Sequence, residues 1–203
     1  IVRIDRVVST EYDAKSRAAF ARAALKAAGE CDAILLSDYG TGLVTPELAR
    51  ALSRKVAKRT RRRPAPILID SRYDLLKYRG LTACTPNESE VEQILEMKIG
   101  DSPRSLERAG RELLKRTRMN AAVITRGSRG MALFEPGRPT IHVPIYGSDE
   151  VADVTGAGDT VIAIMTLTVA AGGSFYEAAR LANYAGGLVV MKRGTATISP
   201  EEL

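Results

Sequence analysis

Short apolar runs alternate with longer amphipathic stretches along most of the chain. Residues 1–8, IVRIDRVV, alternate charged and β-branched positions, the period that predicts a strand with one exposed face. Residues 14–28 are Ala-rich and of high helix propensity, and Gly29 stands where a helix terminator is expected. Residues 32–37 read as a short buried strand and 38–42 as a Gly-rich loop. A helix then begins near Thr45-Pro46, with the proline suited to its first turn. Strands follow over 67–70 and 82–85, and Asn87 predicts the N-cap of a helix over 88–97. A further helix covers 103–117, and 121–125 is again a short apolar strand. Residues 131–134 and 140–143 flank EPGRP as a hairpin. A buried helix starts behind residues 156–158, and a last one spans 174–191 before Gly194 and a tail. Apolar strands this short, separated by helices, predict one α/β domain with a mostly parallel sheet covered on both faces.

Composition narrows the class. The chain has 203 residues, 45% hydrophobic and 27% charged, which suits a globular protein with a sizeable core. No apolar run approaches the roughly 20 residues that span a bilayer, and the first residues lack the charged-then-apolar order of a signal peptide. Cys31 and Cys84 lie far apart and His142 is the only histidine, so zinc clusters and Cys–His nucleophile pairs are not expected. Two scattered cysteines fit a reducing cytoplasm. The net charge of +6 comes largely from Lys55, Lys58, Arg59 and Arg61 to Arg63. These read as a solvated helix terminus before Pro64, and no aromatic residues alternate with them to stack bases. Neither a nucleic acid nor a membrane is an expected partner.

The candidate chemistry gathers at Asp153-Val154-Thr155-Gly156-Ala157-Gly158-Asp159. Gly156, Ala157 and Gly158 stand at a helix N-terminus, where backbone N–H groups lack intrahelical partners and the dipole favours an anion. Asp159 adds a carboxylate where negative charge would collect. That suits a base taking a proton from an alcohol as it attacks a phosphoryl group. The plainer alternative is an acidic first turn complementing the dipole. Ligands of open α/β sheets collect at the carboxyl ends of strands, where Asp38, the Asn87/Glu90 pair, Thr125 and Gly127 also fall.

The string D-V-T-G-A-G-D-T resembles the C-terminal signature of the ribokinase-like (PfkB) sugar kinases. The resemblance implies a three-layer α/β/α fold, Asp159 as catalytic base, and the Gly156, Ala157 and Gly158 backbone as the cradle of the transferring group. Asn87-x-x-Glu90 matches a family motif that organises Mg²⁺, water and the phosphates of ATP, with Glu90 acting on the metal through water. Its alternative is a capping box. Thr125-Arg126-Gly127 matches a nucleotide-contact segment, or is a plain turn into the hairpin. Asn183 aligns with a helix flanking the adenine, or is a satisfied core residue. Asp153 and Thr155, with Gly194 and Ser199, correspond to a monovalent-cation (K⁺) site that not every member uses.

Ser37-Asp38-Tyr39-Gly40, Leu68 to Arg72, Tyr78-Arg79-Gly80 and Thr85-Pro86-Asn87 resemble the heptose-7-phosphate kinase branch within that family. The acceptor implied is D-glycero-D-manno-heptose 7-phosphate, converted to the 1,7-bisphosphate on the way to ADP-heptose, with Asp38 and Arg72 on the sugar. An Asx turn and a solvated loop charge are the alternatives for these two. The branch commonly has Lys after Asp-Tyr-Gly, where this chain has Thr41. No Gly-x-x-x-x-Gly-Lys-Ser/Thr occurs, which excludes a P-loop route, and no His-x-Gly-His points to a nucleotidyltransferase module. Family members usually place roughly a hundred or more residues before this region, holding the first strands, the sugar-binding Gly-Gly and most of the lid. The expectation is therefore the C-terminal part, residues 1–203, of a single kinase domain with a small-molecule sugar acceptor and, as in many relatives, a homodimer. Another sugar or nucleoside kinase of the family, or a nucleotide-binding piece without catalysis, are the alternatives.

Overall fold

Successive residues of the central strands send their side chains to opposite faces of one sheet, and both faces are apolar. The computed structural model describes residues 12–58, 64–147 and 153–203. The chain runs α1 (Ala14–Ala27), β1 (Ile34–Asp38), α2 (Pro46–Ala57), β2 (Ile67–Ser71), β3 (Ala83–Cys84), α3 (Glu88–Leu95), α4 (Pro103–Thr117), β4 (Ala121–Thr125), β5 (Met131–Phe134), β6 (Ile141–Val143), α5 (Ala157–Ala170) and α6 (Phe175–Val190). The strands lie side by side in chain order. β1 to β4 are parallel, and β5 and β6 return antiparallel as a hairpin on the far edge. The strand expected over residues 1–8 and the arginine cluster at 59–63 lie outside the described residues.

Residues of one parity, Ile67, Ile69, Cys84, Ala122, Ile124, Ala132 and Phe134, pack with Leu48 and Leu52 of α2, Val91 of α3, and Leu106 and Leu113 of α4. The other parity, Leu68, Ala83, Ala121, Val123, Met131 and Leu133, packs with Val161, Ile162 and Met165 of α5 and the alanines of α6. Each fully buried aliphatic side chain contributes roughly 1.5–3 kcal/mol, so the two cores hold the sheet between two helical layers. α5 and α6 approach closely because Ala178, Ala179, Ala182, Ala185 and Gly186 are small and buried. A Cβ on Gly187 would stand 2.2 Å from the Tyr146 carbonyl oxygen, so only glycine fits there.

Three boundaries differ from expectation. α1 ends in a right-handed turn at Ala28, without a left-handed Gly29. α3 stops at Leu95 because Glu96 turns left-handed (φ 53°), and Glu92 then accepts the N–H groups of Ile99 and Gly100. β3 is reduced to two residues, with Pro86, which has no N–H to donate, close behind it. Among the described residues no helix is long and apolar enough to cross a membrane.

Candidate active site

The parallel strands all deliver their carboxyl ends to one edge. Asp38 ends β1 beside Ser71, Asp70 lies opposite Ser37, and Asn87 bridges to Thr125 at the end of β4. α5 starts at the same edge. Gly156 caps it with φ 80° and no side chain satisfies its first N–H groups. A Cβ on Gly158 would meet nothing within 4 Å, so the backbone there is open to an approaching group. Asp159 follows in the exposed first turn, and the Tyr39 hydroxyl, from the loop after β1, donates to its Oδ1 at 2.9 Å. The glycines and Asp159 thus lie at the edge where the loop after β1 begins.

Asn87 and Glu90 form both halves of a capping box. Asn87 Oδ1 accepts the Glu90 N–H, and Glu90 Oε2 accepts the Asn87 N–H, each at 2.9 Å. The box fixes both side chains at the strand edge and leaves Glu90 Oε1 outside it. Burial raises the Glu90 pKa, against the hydrogen bonds from Asn87 and the charge of Arg72. Thr125, Gly127 and Asn87 line one polar hollow, with Glu88, Arg126 and Arg129 at its wall. Gly127 has φ 55° and opens a single 3₁₀ turn, Gly127–Arg129.

Asp70 is the member the sequence did not single out. Its carboxyl is pushed up to about 6, first by burial and then by the carboxylates of Glu90, Asp159 and Asp38. The nearest signal was its place at the end of an apolar strand, which is not specific. Mutually repelling acids at an open anion-binding turn fit a divalent cation, because a hydrated Mg²⁺ needs only a carboxylate or two besides phosphate oxygens. Among the described residues no group of three His, Cys, Asp or Glu side chains is arranged to hold a metal ion by itself, so phosphate oxygens and water would have to supply most of the ligands.

Three expected site residues carry internal bonds. Asp38 is buried, with Oδ2 accepting from Ser71 (3.0 Å) and Tyr78 (2.7 Å) and Oδ1 accepting the Gly40 N–H (2.9 Å). Its carboxylate therefore builds the Asx turn and faces the core. Asn183 is buried and donates to the Pro144 carbonyl at 2.7 Å. Asp153 accepts the Thr155 N–H at 2.9 Å and the Gly194 N–H at 3.2 Å, contacts that hold its pKa down. Asp153, Thr155 and Gly194 thus meet, whereas the Ser199 N–H is taken by Glu202 in the tail. Arg72 is exposed, its guanidinium 5.8 Å from the centre of the Tyr73 ring.

A parallel α/β sheet with an open helix N-terminus and an acid at its strand ends defines a class of anion-handling α/β proteins. The model of the pfkB family of carbohydrate kinases matches residues 7–202, and the chain belongs to that family. It is 41% identical to the Bifunctional protein HldE of Geobacter sulfurreducens over the whole chain and 40% of that protein. With the Klebsiella pneumoniae (strain 342) protein of the same name it shares 42% over 88% of this chain and 36% of that one. The chain thus spans about 40% of the length of these curated relatives. The fold is ribokinase-like. Escherichia coli phosphofructokinase-2 in complex with potassium superposes with a TM-score of 0.76 at 20% identity, over 95% of this chain and 61% of that one. Arabidopsis thaliana ribokinase complexed with ribose and ATP superposes with 0.69 at 23% identity, over 84% and 53%.

Proposed function

We propose that the protein carrying this chain transfers the γ-phosphoryl group of ATP to a sugar hydroxyl, and that residues 1–203 are the C-terminal part of its single kinase domain. The observation that carries the proposal is the placing of Asp159 in the N-terminal turn of α5, which no side chain caps, at the carboxyl ends of β1 to β4. Asp159 takes the proton of the attacking hydroxyl. The N–H groups of Gly156 to Gly158 hold the transferring group at the positive end of the helix. Asn87, Thr125 and Gly127 line the hollow that receives the nucleotide phosphates. Glu90, through water, with Asp70 beside it, would hold Mg²⁺, which supplies neutralisation of the phosphate charge.

The acceptor we propose is D-glycero-D-manno-heptose 7-phosphate, phosphorylated to the 1,7-bisphosphate as a lipopolysaccharide precursor on the way to ADP-heptose in the cytoplasm. The branch-like segments and the roughly two-fifths identity to the HldE proteins support it. Arg72, exposed at this edge, is the cation we assign to the sugar phosphate. Asp38 shapes the loop beneath the sugar, Asn183 orders the Pro144 strap near the adenine, and Asp153 with Thr155, Gly194 and Ser199 is the place for K⁺. Thr41, where the branch commonly has Lys, favours a second reading with a different sugar or nucleoside acceptor. We expect a homodimer, the common assembly in the family.

The test is ATP turnover by the full-length protein with the heptose 7-phosphate, fructose 6-phosphate, ribose and adenosine, beside Asp159→Asn. Turnover with the heptose that falls by about 10²–10⁴-fold in the variant supports base and acceptor together. Turnover with another acceptor keeps the mechanism and discards the heptose. ATP binding without turnover of any acceptor refutes the kinase reading.

A further inference from the structure

The loop after β1 holds Tyr39, a residue that the scheme above leaves unused. The direction of the loop is set by local bonds and turns. Asp38 is anchored inward by Ser71 and Tyr78, Gly40 and Gly42 turn left-handed (φ 74° and 78°), and a Cβ on Gly40 would stand 2.9 Å from the Tyr73 ring. The result is a tyrosine ring 55% exposed to solvent, with its hydroxyl returned to the protein at Asp159 Oδ1, 2.9 Å away and 120 residues along the chain. Keeping a large aromatic ring in water to satisfy one exposed carboxylate gains little stability.

The distance is informative. A hydroxyl about to lose its proton to a general base sits within about 2.6–3.2 Å of it, and the Tyr39 phenol lies in that range. The phenol is not itself a competing nucleophile. Its pKa is raised, first by the hydrogen bond to Asp159 and then, against a hydrogen bond with Ser37, by burial and the charges of Asp159 and Asp70, so it stays protonated.

We infer that Tyr39 is a positioning residue that occupies the acceptor's place on Asp159 until a sugar displaces it. The inference rests on the reading of Asp159 as the base. A sugar has binding energy elsewhere on its ring to displace the phenol, whereas water has none. Tyr39 therefore suppresses the wasteful reaction in which water attacks the γ-phosphorus, its proton passes to Asp159, a new O–P bond forms and the bond to ADP breaks.

The full-length protein tests this with ATP hydrolysis measured without sugar and ATP-dependent sugar phosphorylation measured beside it. For Tyr39→Phe we expect the ratio of hydrolysis to phosphorylation to rise about fivefold to tenfold, within the net worth of an ordinary hydrogen bond, because solvent screens the charge at this exposed position. The KM for the sugar should fall at the same time. Tyr39→Ala, which removes the ring as well, should raise the ratio at least as far. The rise should vanish when either variant is combined with Asp159→Asn. An unchanged ratio in both tyrosine variants overturns the inference and leaves the kinase reading standing if Asp159→Asn abolishes phosphorylation. Full phosphorylation by Asp159→Asn overturns the base and this inference with it.

Discussion

Glu88 offers a sharp test of how the candidate site is held together. It is the first residue of α3, between Asn87 and Glu90, and its side chain is only 11% exposed. Its Oε2 takes Arg126 Nε at 3.2 Å and Arg129 Nη2 at 2.8 Å, so the segment after β4 is tied to the cap of α3. Truncating one partner of a buried ion pair costs about 3–5 kcal/mol, mainly because the other charge is left uncompensated. Arg126, 13% exposed, bears that cost in Glu88→Ala. Arg129 is 42% exposed and keeps Asp101 at 2.6 Å and the Gly100 carbonyl at 3.0 Å, so solvent screens its loss. The sum is about 3–5 kcal/mol for Glu88→Ala, with Arg129 adding little, and about 1–2 kcal/mol for Glu88→Gln, which keeps an acceptor. Urea unfolding followed by circular dichroism, with unchanged slope, measures it. On the proposed nucleotide site the KM for ATP should rise in step, since Thr125 and Gly127 lose their register with Asn87. A Glu88→Ala protein within about 0.5 kcal/mol of its parent would refute the reasoning.

Other positions give tests of different sign. The Asp70 carboxyl, raised to about 6 mainly by burial, binds its proton more tightly folded than unfolded. It costs nothing below the unfolded carboxylate range and destabilises the fold as pH climbs through 6. Asp70→Asn should therefore gain on its parent by about 2–3 kcal/mol between pH 4 and 7 in urea midpoints, and a pH-independent gap would contradict this. In Gly110→Ala the new Cβ would stand 2.4 Å from the fully buried Phe134 ring, so overpacking of about 1–3 kcal/mol should offset the roughly 1 kcal/mol helix gain. A higher Tm in that variant would show that the ring gives way. Thr85→Val should stabilise by about 1 kcal/mol, because the buried Thr85 hydroxyl has no hydrogen-bond partner among the described residues. A loss on calorimetry would mean that the hydroxyl has an unseen partner.

The sheet was legible because buried parallel strands leave short apolar runs, and because Thr45-Pro46 and Asn87 announce helix starts locally. The Gly156-to-Asp159 turn was legible for the same reason, its chemistry lying in consecutive residues. What escaped depends on partners far along the chain. Nothing near Asp38 reveals that Tyr78, 40 residues on, turns its carboxylate inward. Nothing beside Glu88 marks it as the anchor of Arg126 and Arg129, 38 and 41 residues away. Asp70 becomes unusual only once the fold buries it and brings the charges of three other acids to bear on it. The left-handed Glu96 ended α3 short of the expected residue 97, where no glycine signalled a stop.

The strands pair in chain order, so the sheet can grow by adding each segment beside the one just placed. α5 breaks that sequence by returning from the far end of the chain to β1 and β2. Contacts of such separation close late, after the loop entropy has been met. The Tyr39–Asp159 hydrogen bond spans 120 residues and therefore belongs to the last stage of assembly. Refolding should thus recover helical and sheet signals before it recovers turnover. Amides of α5 and α6 should exchange through openings that leave β2 and β4 protected. A protein of this design can lose its chemistry by partial unfolding while most of its architecture persists.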